Sequence, residues 1–171
     1  MLSLQKAAQR AFVAVERVFN AVFGERLNPF YYLGAISYFL FWVVIATGLY
    51  IYAFFETSAA SAYPSVESLP LAQWFAGGLL RSLHRYASDA LVLAMVLHLL
   101  RHFTFGRHRG FRWFSWVSGV AALWLAYASG INGYMLPWDR LSQFVVTTTT
   151  EWFDALPVIG GSMTRNFISN A

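Results

Sequence analysis

The sequence predicts an all-α membrane protein, with three transmembrane helices preceded by an amphipathic interfacial helix. Composition is the first reason: 58% of the 171 residues are hydrophobic and 12% are charged, against about 25% charged in ordinary soluble domains. Length is the second. Residues 31–55 and 113–138 carry no formal charge, and each can cross a hydrocarbon core of about 30 Å, which takes about 20 helical residues. A third stretch, 77–103, is apolar enough to span yet contains Arg81, His84, Arg85, Asp89, His98 and Arg101. Ionisable residues inside a membrane are expensive and mark function by default, so the chemistry is expected in this middle span.

The element ahead of the spans occupies residues 1–28. Leu4, Ala8, Ala11, Phe12, Val15, Val18, Phe19 and Val22 recur at helical spacing, with Lys6, Gln9, Arg10, Glu16 and Arg17 between them, the pattern of a helix with one apolar face lying in the membrane interface. Charges recur every few residues here, so no signal peptide is expected. Asn28-Pro29 then breaks the helix, because proline disfavours helical geometry in the residue before it. The transmembrane domain covers 29–138. Residues 139–171 are expected to form a surface loop with short helices, the run Thr147 to Thr150 being a short helix or strand. Residues 56–76, rich in Ser and Pro, form the first connection.

Loop charges orient the chain. The second connection, 101–112, holds Arg101, Arg107, Arg109 and Arg112 and no acid, whereas 56–80 holds Glu56 and Glu67 and no Lys or Arg. Inside loops are enriched in Lys and Arg, so the N-terminus and the second connection are expected inside, and the first connection and the segment after Trp138 outside. The basic loop is thereby explained by topology, and nothing resembles a nucleotide loop, a nucleophile elbow or a nucleic-acid surface. No cysteine occurs, which excludes disulfides, iron–sulfur clusters and thioether-linked haem on this chain.

His84 and His98 are 14 residues apart, about 21 Å of helical rise and nearly a whole number of turns. Both imidazoles therefore leave one face at two depths. Neutral imidazole is a strong ligand for haem iron, so two haems stacked along the membrane normal would satisfy both rings. The flanking spans repeat the number: Gly34 and Gly48 in the first, Gly119 and Gly133 in the third. Glycine lets a flat macrocycle approach the backbone. Small residues also pack transmembrane helices closely without any cofactor, but the coincidence of both pairs with the histidine spacing favours the haem reading.

Gly78-Leu79-Leu80-Arg81-Ser82-Leu83-His84-Arg85-Tyr86, followed by His98 and Arg101, resembles the second helix of the cytochrome b/b6 family. Gly133-Tyr134-Met135-Leu136-Pro137-Trp138-Asp139 is similar to that family's segment after its third helix, and Asp154-Ala155-Leu156-Pro157-Val158-Ile159-Gly160 to its b6-like version further on. The similarity runs in order from about Asn28 to Asn166. It implies the first three helices of a four-helix haem bundle carrying two haem b, with His84 on the low-potential haem outside and His98 on the high-potential haem inside. It implies too that Arg81, Arg85 and Arg101 lie near haem propionates, although snorkelling or inside anchoring also accounts for Arg101. The implied setting is a quinone-linked electron-transfer complex of a bacterial inner membrane or an equivalent energy-transducing membrane. Its partners would be quinone, lipid, an iron–sulfur or c-type haem protein, and a subunit supplying the fourth helix with the second ligand for each iron.

The chain also departs from the family. It ends at Ala171 without the fourth helix, and no cysteine lies near Tyr32, where the b6 type tethers an extra haem. Val145 stands where the family has a small residue beside quinol, and Asp139-Arg140 replaces a less charged pair of the respiratory version. These departures keep two other readings open: a haem-containing quinone-linked anchor of another oxidoreductase, and a haem-free structural subunit. His102 reads either as interfacial or as a neighbour of the inner haem or a quinone headgroup. Asp89 reads either as a proton relay or ligand-orienting acid, or as a buried acid satisfied by a neighbouring helix or simply protonated.

Overall fold

The computed structural model describes residues 3–73 and 76–154. Six α-helices occur among them: α1 (Ser3–Phe23), α2 (Leu33–Phe54), α3 (Ala62–Ala72), α4 (Ala76–Thr104), α5 (Trp113–Met135) and α6 (Arg140–Asp154). Three stretches are long and apolar enough to cross a membrane, α2, α4 and Gly110–Met135, matching the two uncharged lengths and the charged middle span expected from the sequence. The segment 154–160 quoted for the family likeness runs beyond residue 154, and the rest of the expected 139–171 region lies outside the described residues. The chain divides into two compact units, 1–51 with 79–129, and 52–78 with 130–171.

In the first unit α2, α4 and α5 expose most of their large apolar side chains, Trp42, Leu93 and Trp124 among them, as helices solvated by lipid do. The packed side of α4 is narrow and built from small or aliphatic residues, Ala87, Leu91 and Ala94. Hydroxyls within the spans satisfy themselves locally: Ser37 Oγ donates to Leu33 O at 2.8 Å and Ser88 Oγ to His84 O at 2.7 Å, the back-bonding available to such residues inside a helix. The C-terminal end of α4 closes with Gly106 at φ 69°. Gly106 N donates to Phe103 O and Arg107 N to His102 O, a Schellman closure whose left-handed residue is glycine for want of a Cβ.

α1 is held to α4 by polar groups. Arg101 Nε donates to Glu16 Oε1 at 2.6 Å, both side chains buried, and Gln5 Nε2 donates to Phe103 O at 2.8 Å. The buried Asn28 ties α1 to the turn leading into α2: its Nδ2 donates to Glu16 O and Asn20 Oδ1, while its Oδ1 accepts from Phe30 N. Phe30 packs edge-on against Phe12 and Phe19. The docked side of α1 therefore carries Gln5, Phe12, Glu16 and Phe19. Leu4, Val15, Val18 and Val22 stay exposed. Helical spacing locates the apolar stripe but not the packed one, because Gln5 and Glu16 are polar letters with buried partners.

The second unit shows a helix where a plain connection was expected. α3 contains Pro70, which reads as a breaker from sequence, yet the helix forms and packs so tightly that a Cβ at Gly77 would collide with the Leu69 carbonyl. After α5, Trp138 takes a left-handed φ of 55° and Asp139 caps α6. Asp139 Oδ1 accepts from Ser142 N at 2.7 Å and from Ser142 Oγ at 2.5 Å, the side-chain capping geometry that satisfies a first-turn amide. The acid that departs from the respiratory pattern thus has a structural task. The run Thr147 to Thr150 is helical.

Two measurements follow from these contacts. Glu16→Ala removes the acceptor of a charged hydrogen bond, so stability should fall by about 2 kcal/mol, with faster amide exchange through α1 and little change in α5. The hydrogen bond from the Ser142 hydroxyl holds the Asp139 carboxyl below its ordinary value. A group with a depressed folded-state pKa stabilises the fold above its unfolded value of about 4 and loses that contribution as pH falls through the folded one. Proteolysis at the start of α6 should stay flat down to about pH 4 and rise below it. Asp139→Asn should show raised cleavage throughout.

Candidate haem site

Two histidines of α4 lie against two glycines of α2. A Cβ placed on Gly48 would come within 3.0 Å of His84 Cε1, and one on Gly34 within 2.9 Å of His98 Cε1. The Gly34 distance is shorter than side-chain carbons tolerate and the Gly48 distance is tighter than ordinary packing, so in each case the absence of a side chain lets the imidazole sit where it does. The equal spacing of 14 keeps the pairs in register along two neighbouring helices.

His84 is also oriented. Its Nδ1 lies 3.1 Å from Val44 O and 3.0 Å from Thr47 Oγ1. A carbonyl only accepts, so Nδ1 carries the proton, and Nε2 keeps its lone pair. Thr47 Oγ1 is itself turned by donating to Val43 O at 2.6 Å. A ring whose second nitrogen donates to a backbone carbonyl is the usual arrangement of a metal-ligating histidine. Neither Thr47 nor Val44 is marked by sequence reasoning, since a backbone acceptor has no residue signature; a hydroxyl residue beside Gly48 was the available signal.

At the other histidine, the His98 and His102 rings lie 4.4 Å apart between centroids at 56°. A cleft of about 400 Å³ opens beside them, lined by His98, His102, Arg107, Arg112, Trp116 and Gly119. Trp116 Nε1 donates to Leu99 O at 3.3 Å, fixing one wall. Gly119 therefore shares the His98 cleft, although its nearest neighbour is Leu99 Cδ2. Gly133 has open space around its Cβ position. Arg81 and Arg85 are exposed near the His84 end of α4. Arg101 is buried and clamped: besides Glu16, its guanidinium lies 5.3 Å from the Tyr31 ring centroid and 5.1 Å from that of Phe105.

Against known proteins, a family model described as cytochrome b/b6/petB matches residues 18–170. The chain belongs to the cytochrome b/b6 family. It is 37% identical over 134 residues to the cytochrome b6 of Tupiella akineta, covering 78% of this chain and 62% of that protein. It is 36% identical over 137 residues to the cytochrome b6 of Porphyra purpurea, covering 80% and 63%. The chain thus spans less than two thirds of the length of these relatives. Membership and its three apolar spans make it an integral membrane protein, in a family that binds haem b.

The residues of this cytochrome b-type chain fit such a group. Among the described residues no three His, Cys, Asp or Glu converge, so none of the histidines belongs to a set that could hold a bare metal ion. A bare divalent ion needs three or four protein ligands, whereas a porphyrin brings four nitrogens and asks only for axial ones. Single imidazoles facing glycine-lined surfaces supply that. Gly48→Ala and Gly34→Ala should each push their histidine ring aside and lower haem content by up to half. Gly133→Ala should leave it unchanged in the same pyridine haemochrome assay, its Cβ meeting nothing.

Proposed function

We propose that this chain is the diheme core of a quinone-linked complex and carries electrons across the membrane between a quinone pool and redox partner subunits. One observation carries the proposal: in a member of the cytochrome b/b6 family, His84 and His98 sit at two depths of one span, each against a glycine of α2. His84, through Nε2, would hold haem b at one depth and His98 would hold it at the other. Haem b supplies a one-electron iron couple when bound. The chain's own contribution is placement. The Val44 carbonyl and Thr47 hydroxyl set the His84 tautomer and ring direction, Gly34 and Gly48 clear the approach, and the Trp116 indole fixes the cleft wall beside His98.

Arginines contribute charge at both ends of α4. Arg81 and Arg85 suit haem propionates at one end, because guanidinium pairs well with carboxylate. Arg101 suits the same role at the other, with its Nε occupied by Glu16. The second axial ligands would come from a helix outside residues 1–171, and the basic connection after α4 supports placing the His98 end inside. An iron–sulfur or c-type haem protein is the partner that fits a one-electron carrier.

A quinone-linked anchor of a different oxidoreductase is the second reading, favoured by Val145 in place of a small residue; the Asp139 departure weighs less, since that carboxylate caps α6. The test is separate replacement of His84 and His98 by alanine in the complete complex. Each should remove about one of two b-type haems and one wave of the potentiometric titration. Unchanged haem content in both would sink the proposal.

A further inference from the structure

Asp89 is the fourteenth of the 29 residues of α4, so about 20 Å of helical rise separates it from either end. It follows His84 by five residues, which turns it about 140° around the helix from that imidazole. The packed stripe of Ala87, Leu91 and Ala94 lies on the other side, and Asp89 is exposed. Among the described residues the ion pair recorded is Glu16 with Arg101, and no described cation is paired with the Asp89 carboxylate.

Asp89 does not stand alone on its face. Ser82, Tyr86, Leu93, Val96 and Leu100 share it at steps of four and three residues, the spacing of a seam between two helices. Tyr86 is 70% exposed, Leu93 60% and Leu100 48%. Lipid is a poor cover for such a face, because a carboxylate at mid-span is among the costliest residues to place in hydrocarbon. A water-filled cavity is no better suited, since Tyr86, Leu93 and Leu100 are apolar. A second copy of the chain would bring Asp89 against Asp89. A helix that packs along the apolar steps and presents a cation at their centre satisfies every residue of the seam.

We propose that the face of α4 running through residues 82, 86, 89, 93, 96 and 100 docks a transmembrane helix of a partner subunit, which pairs a lysine or arginine with Asp89. This helix differs from the one that would complete the haem sites, because that one must address His84 and His98 on the far side of α4. The apolar steps supply close packing, and the buried pair fixes register and excludes helices without a cation.

The chain has no cysteine, so Leu93→Cys introduces a unique thiol on the seam. It would be labelled with a benzophenone maleimide in native membranes holding the complete complex, photolysed, and the adduct sequenced by mass spectrometry. The expected adduct is a transmembrane segment of another subunit bearing Lys or Arg within one turn of the Asp89 depth. Asp89→Lys should lower recovery of that subunit about tenfold, an acid in place of its basic residue should restore recovery, and the haem-to-chain ratio should hold throughout. Asp89→Asn, which keeps size and removes charge, should lower recovery several-fold even if the lysine variant does not assemble. Adducts only with lipid, with a second copy of this chain, or with a segment lacking a basic residue would overturn the proposal. Wild-type recovery of the partner in Asp89→Asn would do the same.

Discussion

A polar group inside hydrocarbon must find its partner within the protein, because neither water nor lipid will supply one. α4 is the element on which that constraint falls hardest. Its two imidazoles lie against α2, where the glycines that admit them also bring the Val44 carbonyl within reach of His84 Nδ1. That contact settles three things together: how near α2 and α4 approach, which nitrogen of His84 holds the proton, and which is left as a donor. A larger residue at Gly48 would disturb all three.

The same rule shapes the ends of the helices. Arg101 lies in the last turn of α4, and its charge is met by Glu16 and two aromatic faces. α1 is therefore more than an adhesive at the surface; it brings the counter-charge to the end of the central span. Asn28 extends the arrangement by joining α1 to the turn ahead of α2. In the other unit Asp139 performs a comparable service for α6, giving the first turn an acceptor that its own backbone lacks.

Haem chemistry and helix packing place overlapping demands on small residues. Gly34 and Gly48 each lie under an imidazole, where a side chain would crowd the ring. Gly119 lines the His98 cleft while packing against Leu99, and Gly133 has open space at its Cβ position. One spacing of 14 thus conceals three different local roles. α5, which has no buried residue, shows how much of its surface awaits lipid or neighbouring chains.

The sequence by itself determined the number of spans and the helix ahead of them, because hydrocarbon thickness and helical rise turn composition and spacing directly into geometry. It also carried the family likeness, through motifs that keep their order. Only the tertiary structure decided which side of α1 is packed, that Glu16 answers Arg101, that α3 forms despite Pro70, and that a backbone carbonyl orients His84. Each of those depends on a partner distant along the chain or on a main-chain group that every residue possesses, so no pattern of side chains announces it.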